Sequence, residues 1–250
     1  MFVVIALRSL ASPRRTVRFR FANLSFQWES VKKVLNIGVP AALTQVVFPL
    51  GLAALTFLTS LGFQEAGAVA FSLGFRLEFF AFLPAVGFGF GAMAMIGQNI
   101  GARNLSRAKE AFSKGLQYGS LGAAAIGIVA ALFAGLIIGI FNPGPVAAEY
   151  ARSYMWIVAL VGYGFLAAMM VEASAFQAIG RSWPGFWIFF LRFAVVSIPL
   201  AYVFTQVFHL PITALWGAIL AGNIVAAAVG YLWITKTLNT LELKEVPVHA

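Results

Sequence analysis

The chain has 250 residues, of which 61% are hydrophobic and only 10% charged, and its mean hydropathy is +0.91. Soluble domains carry about a quarter charged residues; here the apolar residues fall in long runs, which excludes an ordinary soluble domain and points to an all-α integral membrane protein with several spans. The net charge of +9, from 17 Lys and Arg against 8 acids, sits on no soluble basic module, so nucleic-acid binding is set aside.

Cys is absent and His is limited to His209 and His249. Disulfides, thiolate metal sites and a His-based metal centre are therefore not expected. No phosphate-binding loop or nucleophile–base set is visible, so neither catalytic residues nor a cofactor is expected, and the chain is not read as an enzyme.

Residues 1–7 (MFVVIAL) are apolar but too short for a span, and read as the last turns of a preceding helix. Residues 8–33 carry seven basic residues and one acid, and read as a cytoplasmic linker. Six spans come next, at about 34–61, 67–98, 115–141, 152–178, 184–208 and 214–235. Residues 62–65 form a tight outer turn, and Asn142-Pro143-Gly144-Pro145 is a plain turn signal. The polar tail, 237–250, is expected to fray. Fourteen of the 17 Lys and Arg fall on one side of this arrangement and only Arg152 on the other. That asymmetry puts both termini in the cytoplasm of a multi-pass protein, with the plasma (inner) membrane as the expected location.

Four charges lie inside the spans: Arg76, Glu78, Glu172 and Arg192. An intramembrane charge is costly and calls for a partner or a water-filled cavity. Arg76 and Glu78 are two residues apart and cannot face each other on one helix. Glu172 and Arg192 lie at matching depths, roughly 9–12 Å from the cytoplasmic ends of their spans at about 1.5 Å per residue, so a Glu172–Arg192 pair is expected. The four charges can serve as a network that locks the fold. Alternatively Glu78, and then Glu172, exchanges ions during transport, since a desolvated carboxylate titrates nearer neutrality than a tightly paired one.

Pro84 and the ladder Gly87, Gly89 and Gly91 read either as helix packing or as a bending point in the second span. Gln45 lies deep enough in the first span to touch a solute. Phe75, Phe79 and Phe82 could line an apolar, cation-tolerant cavity.

The run GFRLEFFAFLPAVGFGFGAMAMIGQNIGARNLSRA resembles the second-half signature of the multidrug and toxic compound extrusion (MATE) family. That signature is a helix with Arg-x-Glu, a Pro and small residues, then Gly-Gln-Asn-x-Gly-Ala and a basic turn. IGVPAALTQ, at 37–45, is similar to the opening of that family's seventh helix, and AIGRS, at 178–182, to the loop after its tenth. The likeness covers about 33–236.

It implies a six-helix bundle equivalent to one lobe, the C-terminal one, of a twelve-helix transporter. It further implies export of cationic or amphipathic compounds in exchange for protons or sodium ions. The partners expected with it are the lipid bilayer, a small-molecule substrate, and an N-terminal lobe or a second copy of the chain. The sequence departs from the family in the acids expected for coupling: the first lobe, with the acid that many members use, lies outside the likeness, and no acid lies on the first span, where some members carry one. Two other readings stay open: a flippase-like exporter of lipid-linked sugars, and a truncated, non-transporting membrane fragment or assembly partner.

Overall fold

The structure is a computed structural model that describes residues 28–245. The readings of 1–7 as a helix end, of most of the basic linker, and of the last residues of the tail lie outside these residues. Residues 36–245 form one compact unit; residues 28–35, from the preceding unit, are helical. All described secondary structure is helical.

Helix α1 runs from Trp28–Gly101, 74 residues. A straight helix of that length would measure about 110 Å, more than three times a bilayer's hydrocarbon core. It is not straight. Phe63 (φ −131°, ψ 18°) and Gln64 (φ 55°, ψ −153°) leave helical geometry, and the chain doubles back there. The reversal shows in side chains that meet across it: the rings of Phe48 and Phe82 lie 5.6 Å apart. Gly67 makes the turn possible, since a Cβ there would meet Phe63 at 2.6 Å. The three prolines of α1, Pro40, Pro49 and Pro84, introduce no non-helical residue.

Helix α2 (Leu105–Leu132) starts at Asn104, whose side chain accepts from the Arg107 backbone N–H at 3.1 Å. That cap shortens the expected polar loop to a three-residue turn in which Arg103 has a φ of 56°. Short helix α3 (Ala134–Phe141) comes after a break at Phe133, so the expected third span is in two pieces. Helix α4 (Pro145–Tyr154) opens with Pro145, then passes through a π-helical segment, Met155–Ala159, into α5 (Leu160–Ala178).

After the Gly180 turn come α6 (Trp183–Phe190), a π segment Leu191–Ser197, α7 (Ile198–Tyr202) and a second π segment Val203–Val207. Pro199 has no N–H for the carbonyl one turn back, which favours the widened turns around it.

Helix α8 (Ile212–Glu245) does not stop at the expected boundary. The reading of a frayed tail from 237 is corrected as far as Glu245. Ile234 and Leu238 are buried and Leu241 partly so, an i, i+4, i+7 stripe that carries the helix onward.

Among the described residues, five helical runs are long and apolar enough to cross a membrane. Because α1 doubles back, they make six passes of a helical bundle. Helix α5 is central, packed on α2 and α8, and its Ala167 and Ala175 are fully buried. Such small residues let helix axes approach closely where no hydrophobic effect drives association. Outward positions carry exposed Leu136, Ile140 and Leu232, which suits a lipid surround.

Candidate functional site

Glu78, on the second arm of α1, is 2% exposed. Its Oε2 accepts a hydrogen bond from the Tyr154 hydroxyl at 2.7 Å, and its Oε1 meets Arg192 Nη2 at 3.3 Å. Both partners come from the edges of π segments: Tyr154 directly precedes one, and Arg192 is the second residue of another. A π turn holds an extra residue and rotates the helix beyond it, which is how side chains in a helical bundle are re-aimed.

Tyr154 approaches through a gap that Gly74 provides; a Cβ on Gly74 would stand 2.6 Å from the ring. Trp216 buttresses the same ring edge-on at 5.1 Å, and its indole N–H donates to Ser153 Oγ at 3.0 Å. The Arg192 guanidinium lies 4.5 Å from the Phe193 ring centre and 5.5 Å from that of Phe48. Two aromatic faces thus help to hold a desolvated cation beside its carboxylate.

Glu172 is the second buried acid, 1% exposed on α5. The expected Glu172–Arg192 pair is not formed: Arg192 turns to Glu78 instead. Glu172 projects at Gly230 of α8, where a Cβ would collide with its carboxylate, and beside Ile188. Neither of its oxygens has a hydrogen-bond partner among the described residues. Equal depth in two spans sets a possible meeting, but the rotation of each helix decides it, and the π segment at Arg192 sets that rotation.

The remaining sequence-derived residues separate. Arg76 is exposed, on the side of its helix away from Glu78, and takes no ion-pair partner among the described residues. Gln45 is exposed and lines a cavity of about 550 Å³ with Thr44, Phe48, Ser174, Gln177 and Phe189. Phe75, Phe79 and Phe82 line an adjoining cavity of about 430 Å³, and Glu78 forms part of its wall. Phe48, Pro49 and Phe82 belong to both cavities, so the ring pair Phe48–Phe82 divides the Gln45 side from the Glu78 side.

Pro84 leaves the helix regular. The glycine ladder splits between two faces: Gly89 is pressed on Ser174, whereas Gly87 and Gly91 face open space. Sequence reasoning missed Tyr154 and Phe48. A tyrosine inside a membrane-spanning run is a legible polar signal, but nothing in the local pattern marks one Phe among 25.

The MatE family model matches residues 40–203 of this chain, more than half of it. The chain belongs to the MatE family. Glu78, Arg192, Glu172 and Gln45 all fall within the matched residues of this MatE chain. Its relatives include a "Probable multidrug resistance protein NorM" of Thermotoga maritima, 27% identical over 210 residues that cover 83% of this chain and 44% of that protein. An "FAD transporter" of Shewanella oneidensis is 28% identical over 169 residues, 68% of this chain and 37% of that protein. The chain thus spans less than half the length of these curated relatives.

Among solved structures, MATE in its straight conformation matches with a TM-score of 0.88 at 22% identity, over 96% of this chain and 54% of that one. A MOP superfamily transporter from Pyrococcus furiosus matches with the same score, identity and coverage. These likenesses show the fold: a helical bundle equivalent to about half of a MATE transporter. The MatE chain is an integral membrane protein, as the family and its apolar helices require.

Proposed function

We propose that this chain is one lobe, the C-terminal one, of a secondary active antiporter that exports cationic or amphipathic compounds in exchange for protons or sodium ions. The observation that carries the reading is the position of Glu78. It stands in the wall of an aromatic cavity, next to a second cavity with amide and hydroxyl groups and no charged lining residue. A lining of aromatic faces and one acid favours a lipophilic cation over an anion. The family match and the naming of the Thermotoga relative support export of this kind of compound.

Glu78, held by Arg192 and Tyr154, is the first candidate for ion coupling, and Glu172, with no partner among the described residues, is the second. Binding of a competing cation at Glu78 would free Arg192 from its carboxylate, leave it on Phe48 and Phe193 alone, and so disturb the dividing ring pair. Gln45 is the candidate solute contact on the open side. Repeat transporters bind solute between two halves, so the facing wall is a second lobe or a second copy of this chain. The lobe sits in the plasma (inner) membrane with both ends in the cytoplasm, as the distribution of Lys and Arg favours.

The test uses proteoliposomes that hold the protein and a fluorescent lipophilic cation, with a proton or sodium gradient imposed. Gradient-driven release is expected, with loss of at least about tenfold in Glu78→Gln, the order of one lost charge-assisted contact. Release no faster than from protein-free vesicles rules out a second copy as the facing wall and moves the test to vesicles that also hold an N-terminal lobe, where no release overturns the reading; full gradient-dependent activity in Glu78→Gln overturns the role of Glu78.

A further inference from the structure

A third cavity, of about 840 Å³, lies away from Gln45 and Glu78, between the second arm of α1 and the start of α2. Its floor is the strip Gly87 and Gly91, one turn apart, and a Cβ at either would meet nothing within 4 Å. Phe88 and Met95 form an apolar wall, 40% and 54% exposed. Along α1 the groove runs from Pro84 to Asn99, about 22 Å at 1.5 Å per residue. One leaflet of hydrocarbon is about 15 Å deep, half of a bilayer core. The groove is therefore long enough to cover a full leaflet.

Its two ends differ in chemistry. The deep end, at Pro84, Gly87 and Phe88, is apolar. The outer half carries Arg107, Glu110 and Lys114 on α2, with Asn99 at the surface end; Lys114 lies about 10 Å further in than Arg107, beside Gly115, which packs on Ala92. Both cations are exposed, and neither is ion-paired among the described residues. The Lys114 ammonium sits 5.9 Å from the Tyr118 ring, one turn further in along α2.

An apolar slot about one leaflet long, with one net positive charge along its outer half, matches one kind of occupant. We infer that this groove is a binding site for an anionic phospholipid, with an acyl chain along Gly87 and Gly91 and the headgroup phosphate between Arg107 and Lys114. The glycines matter because side chains there would fill the slot. The two cations matter because a phosphate drawn from the headgroup layer needs donors at that depth. This site does not depend on what the lobe transports.

The absence of native Cys permits a direct test. A fluorophore is attached at Ala94→Cys, an exposed position beside the groove, and for comparison at Leu232→Cys, outward on α8. The labelled full chain is reconstituted in vesicles with brominated phosphatidylglycerol or brominated phosphatidylcholine at equal bromine content. At Ala94→Cys, phosphatidylglycerol is expected to quench with a preference of roughly fivefold to tenfold, the effect of about one net positive charge near the surface. No preference is expected at Leu232→Cys.

The preference should vanish in the Arg107→Gln/Lys114→Gln double variant. It should also fall in Gly91→Leu, which fills the groove without touching charge. Equal quenching by the two lipids, or a preference that survives the double variant, overturns the proposal. Weak quenching by both lipids also overturns it, and means that protein, a second lobe or a second copy, covers the groove.

Discussion

Glu78 and Glu172 are two carboxylates of nearly equal burial in one bundle, and their surroundings are opposite. Glu78 is enclosed by a hydroxyl and a guanidinium brought from two other helices, with aromatic rings behind the cation. Glu172 faces a glycine and an isoleucine. Burial alone therefore says little about what an intramembrane acid does. What separates the two is whether another helix has been turned to deliver a partner, and here both deliveries to Glu78 come at π-helical segments.

The contrast can be broken most strongly at Arg192. Arg192→Met leaves Glu78 buried without its counter-charge. The expected loss is about 3–5 kcal/mol of stability, read as a fall in the thermal unfolding midpoint in detergent. A companion Glu78→Gln change should recover part of that loss, because it removes the stranded charge. A midpoint within error of the parent protein would show that the pair contributes nothing.

Tyr154→Phe tests the other contact to Glu78. One hydrogen bond to a charged group disappears while the ring keeps its seat against Gly74 and Trp216, so about 1.5–3 kcal/mol is expected in the same measurement. A smaller loss than for Arg192→Met would rank the two contacts, and the reverse order would contradict the geometry.

The smallest effect, and of opposite sign, is expected at the other acid. Glu172→Met replaces a carboxylate that lacks a partner with an apolar side chain of similar volume beside Ile188, and should stabilise by about 1 kcal/mol. Destabilisation instead would mean that Glu172 is held by a group that its described neighbours do not supply.

The broad design was legible because it rests on composition. Long apolar runs, Gly and Pro at the turns and the lopsided basic residues give a helical membrane bundle, and the Arg-x-Glu signature gives its family. The reversal at Phe63–Gln64 falls inside the expected turn at 62–65.

The interior was less legible. Depth put Glu172 and Arg192 level, but depth is a one-dimensional coordinate, and pairing needs the angle around each helix as well. No local pattern announces a π turn, and one extra residue shifts that angle by about 100°. The frayed tail was misread for a related reason: its polar residues hide a sparse stripe through Ile234, Leu238 and Leu241 that only the packed bundle reveals. Tyr154 escaped notice because its value depends on a residue 76 positions away.

The reversal within α1 also bears on how the chain enters a bilayer. Two residues separate arms that are each long enough to cross, which leaves no loop that could wait on one face while the first arm settles. Arms so closely joined favour entry as one hairpin, so the two arms of α1 share a single event of biogenesis. Their relative register is then set before α2 emerges, and with it the facing of Phe48 and Phe82 that divides the two cavities.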